Sequence, residues 1–143
     1  MNSFTLIELL IVIGIITILA SFSFLFGLDF YKSQQLESQA QTILQTLRRA
    51  QSKAMSVELD SSFGVYFDNN NKKYILFKGN SYFPGDPYNE EFDLPAILNL
   101  SGLSEVAFSK LGGKPSITGN IILTTDSEQR IININEIGKI ELQ

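Results

Sequence analysis

Residues 4–28, FTLIELLIVIGIITILASFSFLFGL, hold one ionisable side chain, Glu8, in a run dominated by Ile, Leu, Val and Phe. The only other polar side chains are Thr5, Thr17, Ser21 and Ser23, and no proline interrupts. As an α-helix the run would be roughly 37 Å long. A bilayer core is about 30 Å thick, so the run is expected to span a membrane with some tilt. Gly14 and Gly27 are tolerated in such a helix. Glu8 is the costly residue: an acid at the centre of a bilayer helix is worth about 2.5–3.5 kcal/mol against insertion. Two readings stand side by side. Glu8 is a protonated or snorkelling glutamate near the interface, or it is kept for a cation inside the apolar layer. The run holds no Lys or Arg, so such a cation has to come from another chain or from an amino terminus.

Beyond Leu28 the pattern changes but helix is still expected. Asp29, Phe30, Tyr31 and Lys32 place an aromatic anchor beside charges, as at a membrane interface. From 33 to 57 the apolar residues Leu36, Ala40, Ile43, Leu44, Leu47, Ala50, Ala54 and Val57 recur mostly at intervals of three and four. That spacing predicts one buried stripe on an amphipathic helix. Arg48, Arg49 and Lys53 fall on the other face and are read as solvated. With no Pro between 4 and 57, a single helix of about 80 Å is expected.

The rest reads as β. Strands are expected at 63–67, 73–78, 96–100, 105–109, 119–125, 130–134 and 139–142. Turns are expected at 68–72, 112–115, 126–129 and 135–138, and a loop at 79–93, where Pro84, Gly85 and Pro87 sit. Strands in close succession favour antiparallel pairing with one face laid on the helix stripe. The expected class is therefore α+β, a long amino-terminal helix packed on a carboxy-terminal antiparallel β-sheet domain.

Composition narrows the chemistry. A net charge of −4 with pI near 4.8 argues against a nucleic-acid coat. The chain has neither Cys nor His, which removes disulfides, thiol chemistry and the commonest general base. No G-x-S-x-G elbow, S-x-x-K set or phosphate-cradling glycine loop occurs. No enzymatic activity and no cofactor are expected. Asp86, Glu90, Glu91 and Asp93 gather hard oxygens in the 79–93 loop, but their spacing fits no EF-hand. They are read as a solvated acidic loop, with calcium the lesser alternative.

Ser3-Phe4-Thr5-Leu6-Ile7-Glu8, continuing through Leu9 to Ile15, resembles the amino-terminal signature of type IV pilins and of the pseudopilins of type II secretion. In that family a prepilin peptidase cuts before the Phe and methylates the new amine. The resemblance implies scission between Ser3 and Phe4, N-methylation of Phe4, and pairing of Glu8 with the Phe4 amine of a neighbouring subunit. Physics agrees, since a carboxylate–ammonium pair in low dielectric is far cheaper than either ion alone. Ser3 stands where the family usually has Gly, and the leader carries no basic residue. An ordinary secretory signal fits worse, for want of a basic n-region and an A-x-A site. A second resemblance, to the GspH/FimT-type pseudopilins, rests on Gly64-Val65-Tyr66-Phe67, Tyr74-Ile75-Leu76-Phe77, Phe108, Gly112-Gly113, Gly119, Ile121-Ile122-Leu123, Arg130 to Ile134 and Gly138-Lys139-Ile140. It implies a long helix followed by two small antiparallel sheets, and a role as a minor subunit near the tip of a pilus or pseudopilus.

The resulting organisation is a leader at 1–3, a transmembrane helix at 4–28, its amphipathic continuation at 29–57 and a β-rich domain at 58–143. The expected function is that of a structural subunit of a type IV pilus or a type II secretion pseudopilus. It would be anchored in the inner membrane by a single pass, with its carboxy-terminal domain outside the cytoplasm, before it enters the filament. Expected partners are other pilin or pseudopilin subunits, prepilin peptidase, the lipid bilayer and the assembly platform. Two alternatives remain. One is a DNA-capturing tip subunit, against which Lys110, Lys114, Arg130 and Lys139 are dispersed among acids. The other is a signal-anchored surface protein that never assembles.

Overall fold

The computed structural model describes residues 5–143, with the side chains of 22–28 excepted. Helix α1 runs Leu6–Met55 and contributes to two compact units, residues 1–34 and 35–143. The expected leader 1–3 and the Ser3–Phe4 bond lie outside the described residues.

Over residues 5–21 the helix presents apolar side chains on every side. From 5 to 21 every residue except Gly14 is exposed, Leu6 at 78 % and Leu19 at 63 %. Its hydroxyls are satisfied within the helix: Thr17 Oγ1 donates to the carbonyls of Ile13 and Gly14 at 2.9 Å, and Ser21 Oγ donates to that of Thr17 at 2.8 Å. Such back-bonding lets Thr and Ser sit in an apolar medium without an orphaned donor.

In the second unit Leu36, Ala40, Ile43, Leu44, Leu47, Ala50 and Ala54 are all buried, the stripe that their spacing predicts. The helix stops because Val57 takes a left-handed backbone (φ 58), and a 3₁₀ turn follows at Glu58–Asp60. A β-branched residue adopts that conformation only at a cost. Val57, expected on the stripe, thus lies past the helix end and is half-buried.

Eight strands follow: β1 (Phe63–Asp68), β2 (Lys73–Lys78), β3 (Glu90–Asp93), β4 (Asn99–Gly102), β5 (Glu105–Phe108), β6 (Gly119–Thr124), β7 (Gln129–Ile134) and β8 (Ile140–Leu142). They form two antiparallel sheets, ordered β3-β2-β1-β5 and β4-β6-β7-β8. One core joins the α1 stripe to the inward residues of both sheets, among them Phe63, Val65, Leu76, Val106 and Phe108 from the first and Leu100, Ile121, Leu123, Ile132 and Ile140 from the second. The β1–β2 turn is closed by Asp68, whose carboxylate accepts the Asn71 N–H at 3.0 Å and the Asn71 side-chain amide at 2.7 Å. These bonds hold its carboxyl below the usual range. The β7–β8 turn relies on Gly138, which has φ 84.

Two elements differ from the expectations. The stretch read as a loop at 79–93 ends in strand β3, paired with β2 through Lys73↔Asp93 to Leu76↔Glu90. Its acids cost little at a sheet edge because Phe92 stacks on Tyr74 with centroids 5.1 Å apart, and Glu91 meets Lys73 at 2.9 Å. The strand expected at 96–100 begins at Asn99 instead. Leu98 N–H bonds the Pro95 carbonyl at 2.9 Å, so 96–98 are spent in a turn.

At Gly64 both a neighbouring strand and a core side chain approach the backbone closely. A Cβ there would lie 2.4 Å from the Val106 carbonyl oxygen, 2.5 Å from the Phe77 ring and 2.9 Å from Ala107 Cα. Gly64→Ala is therefore expected to cost about 1–3 kcal/mol, read as a lowered midpoint in denaturant unfolding. A second expectation concerns pH. Glu37 is held below the usual glutamate range by its bond to Gln41 and by Arg130, whose Nε donates to Glu37 at 2.9 Å. A depressed acid stabilises the fold above its unfolded-state pKa and loses that contribution as pH falls through the folded value. Stability should thus decline on acidification below the ordinary glutamate range. Glu37→Gln should flatten that slope, and an unchanged acid limb in the variant would remove Glu37 as its source.

Candidate functional site

The amino-terminal turn of α1 is built by Thr5 and Glu8. Thr5 caps the helix: its carbonyl accepts the N–H of Glu8 and of Leu9, and its Oγ1 lies 3.3 Å from the Glu8 N–H. Thr5-x-x-Glu8 has the spacing of a capping box, a signal present in the sequence that the 4–28 hydropathy reading passed over. Glu8 also sits where the helix macrodipole favours negative charge. Its side chain is exposed, and among the described residues no donor or cation reaches its carboxylate. The first basic residue of the chain is Lys32. The site is thus an acid at the head of a helix whose surroundings are Leu6, Ile7, Leu9, Leu10, Ile11 and Val12, all exposed. Such a group can hold a cation or a proton, and it gains most from a cation once its apolar surroundings are covered. Among the described residues no helix is long and apolar enough to cross a membrane. Phe4 and the side chains of 22–28, which belong to the 4–28 run, lie outside them.

The remaining expected residues are dispersed. Arg48, Arg49 and Lys53 are not merely a solvated face. Arg49 makes a bidentate pair with Glu90 at 2.7 and 2.9 Å, Arg48 donates to the Ile140 carbonyl at 3.2 Å, and Lys53 meets Glu58 at 2.8 Å and lies over the Phe63 ring. Arg48 and Arg49, which look free along the helix, thus meet acceptors from distant strands, while Lys53 meets one in the turn just past the helix end. The acidic residues 86–93 do not converge. Glu90 and Glu91 face Arg49 and Lys73, and Asp86 accepts the Tyr88 N–H at 2.8 Å. Among the described residues no group of three or more His, Cys, Asp or Glu could hold a metal ion. Of the cations weighed for DNA, Lys110 pairs with Asp60, Arg130 with Glu37 and Lys139 with Glu141, so their charge is spent internally.

Gln51 had no signal in the sequence. Its side-chain amide donates 2.8 Å bonds to the carbonyls of Gly113 and Gly138, clasping one loop from each side of the fold to α1. Only the tertiary arrangement gives a helix glutamine that task.

Residues 2–24 match the family described as the prokaryotic N-terminal methylation motif. No curated protein matches the chain in sequence. Two solved structures of the minor pseudopilin EpsH from the type 2 secretion system of Vibrio cholerae share its fold. One is 18 % identical with a TM-score of 0.60, covering 76 % of this chain and 96 % of its own. The other is 13 % identical with a TM-score of 0.59, covering 77 % and 96 %. The two likenesses concern different features, the methylation motif at the head of α1 and the packing of a helix on two antiparallel sheets. The chain therefore combines a prokaryotic N-terminal methylation motif over residues 2–24 with a fold shared with a minor pseudopilin.

Proposed function

We propose that this chain is a subunit, in a minor role, of a pseudopilus or type IV pilus, anchored in a membrane by residues 4–28 before it assembles. The observation that carries this reading is the stretch 5–21 of α1, with exposed apolar side chains on all sides and one acid in its first turn. An all-round apolar helix exposed to water is unstable as a free surface, and it has two covers, lipid or other helices. Lipid serves the precursor and helices of neighbouring subunits serve the filament. Glu8 discriminates between the two states. In lipid the acid carries an insertion cost, whereas among packed helices it receives the Phe4 amine of a neighbour, released by cleavage after Ser3 and still protonated after N-methylation. The methylation motif over 2–24 and the likeness to a minor pseudopilin support this assignment. Prepilin peptidase and an assembly platform in the membrane are the partners it requires.

Glu8→Ala and Glu8→Val are expected to insert in the membrane normally and to be absent from sheared filaments, with immunoblots of both fractions as the measurement. Incorporation at the unmodified level would end the pairing assignment. Mass spectrometry of the mature chain is expected to find N-methyl-Phe4 at the amino terminus. An intact Met1 on protein taken from its own cells would favour an unassembled anchor instead.

A further inference from the structure

On β5, Val106 and Phe108 point into the core, so Ala107 between them faces the opposite side of the first sheet. There a groove of about 370 Å³ opens, with Ala107 and Pro115 as its apolar lining and Asn80, Ser109, Lys114 and Ser116 around it. The polar groups share one property. Ser109 Oγ already accepts the Lys114 N–H at 3.0 Å, and Ser116 Oγ accepts the Ala107 N–H at 3.1 Å. A hydroxyl whose lone pair is engaged in this way has its own proton left to give. Among the described residues neither hydroxyl donates to an acceptor, and neither the Lys114 ammonium nor the Asn80 amide has a partner. The nearest acid along β5, Glu105, is occupied by Ser81 Oγ at 2.9 Å and the Tyr82 N–H at 3.3 Å.

The loop that carries these donors is held firmly. Ser109 N–H bonds the Lys114 carbonyl at 2.8 Å, Gly113 N–H bonds the Ser109 carbonyl at 2.9 Å, and Leu111 N–H bonds the Ala54 carbonyl of α1 at 3.1 Å. Gln51 clasps the Gly113 carbonyl. Leu111 is kept left-handed at φ 66, a conformation that a residue with a Cβ adopts only at a cost and that gathers near functional sites. Donors on a pinned loop lose little freedom on meeting a ligand.

We propose that this groove binds a monoanionic carboxylate on a small body, such as the free end of a short peptide. One ammonium with neutral hydroxyl and amide donors matches a single negative charge, and hydrogen bonds to an ionised acceptor are the strong ones. Ala107 and Pro115 provide apolar surface for the attached body. The groove lies wholly within residues 35–143, so Glu8→Ala is expected to leave it unchanged.

The test uses the full chain in non-ionic detergent micelles. The amide resonances of Ala107, Ser109, Lys114 and Ser116 are followed during titration with N-acetyl-dialanine, with the same peptide capped as its amide, and with inorganic phosphate. The free acid is expected to give saturable shifts. The amide, and the free acid on Lys114→Gln, are expected to bind at least ~10-fold more weakly. Lys114 is exposed, so unchanged resonances of the second sheet certify that the variant is folded. Absence of saturation, equal binding of the amide, equal binding by Lys114→Gln, or phosphate binding tighter than the acid would each overturn the proposal.

Discussion

The burial of one helix stripe under two sheets is the constraint on which the second unit depends. Leu36, Ile43, Leu44 and Leu47 each stabilise by about 1.5–3 kcal/mol when removed from water. The intervening alanines, Ala40, Ala50 and Ala54, let strand side chains approach the helix backbone. Neither sheet is large, and each has one apolar face that has to be covered. Placed on a shared stripe, the inward faces of both become one core with Phe63, Phe108, Ile121 and Ile132 at full or nearly full burial.

Polar contacts then fix how that core is arranged. Arg130 reaches Glu37 across 93 residues of sequence, Arg48 reaches the Ile140 carbonyl across 92, and Gln51 holds two glycine carbonyls together. At the opposite end Lys72 donates to the Leu98 carbonyl at 2.8 Å, and Asn69 accepts the Leu100 N–H at 3.0 Å, joining the β1–β2 turn to β4. These last bonds also occupy a sheet edge that would otherwise offer free backbone groups to another chain. Exposed pairs of this kind add little energy each. Their effect is to select one register and one placement of the sheets.

The first unit follows the opposite logic. Over residues 5–21 no side chain is buried within the chain, and the hydroxyls of Thr17 and Ser21 are satisfied within the helix itself. The same helix therefore carries two kinds of surface, a stripe that its own chain covers and an all-round apolar surface that something else must cover. A chain built this way has one unit with a core of its own and, over 5–21, an apolar helix surface that the described chain leaves uncovered.

The sequence by itself determined which face of the helix is buried and where most strands and turns fall. The three-and-four spacing from Leu36 to Ala54 is set by the helix period of 3.6, and runs such as 63–67 between turn residues are local patterns too. The turns at Asp68 and Gly138 were equally legible, since their chemistry acts over a few residues. Tertiary structure decided the division of eight strands into two sheets, the pairing of β1 with β5, and the emergence of β3 from an acidic, proline-bearing stretch. It also turned Arg49 from a surface charge into the partner of Glu90, and gave Gln51 its two carbonyls. The physical reason is the same in each case. A local pattern says that a face will be buried or a charge exposed, but the partner is supplied by chain tens of residues away, and only packing of the whole unit brings it within reach.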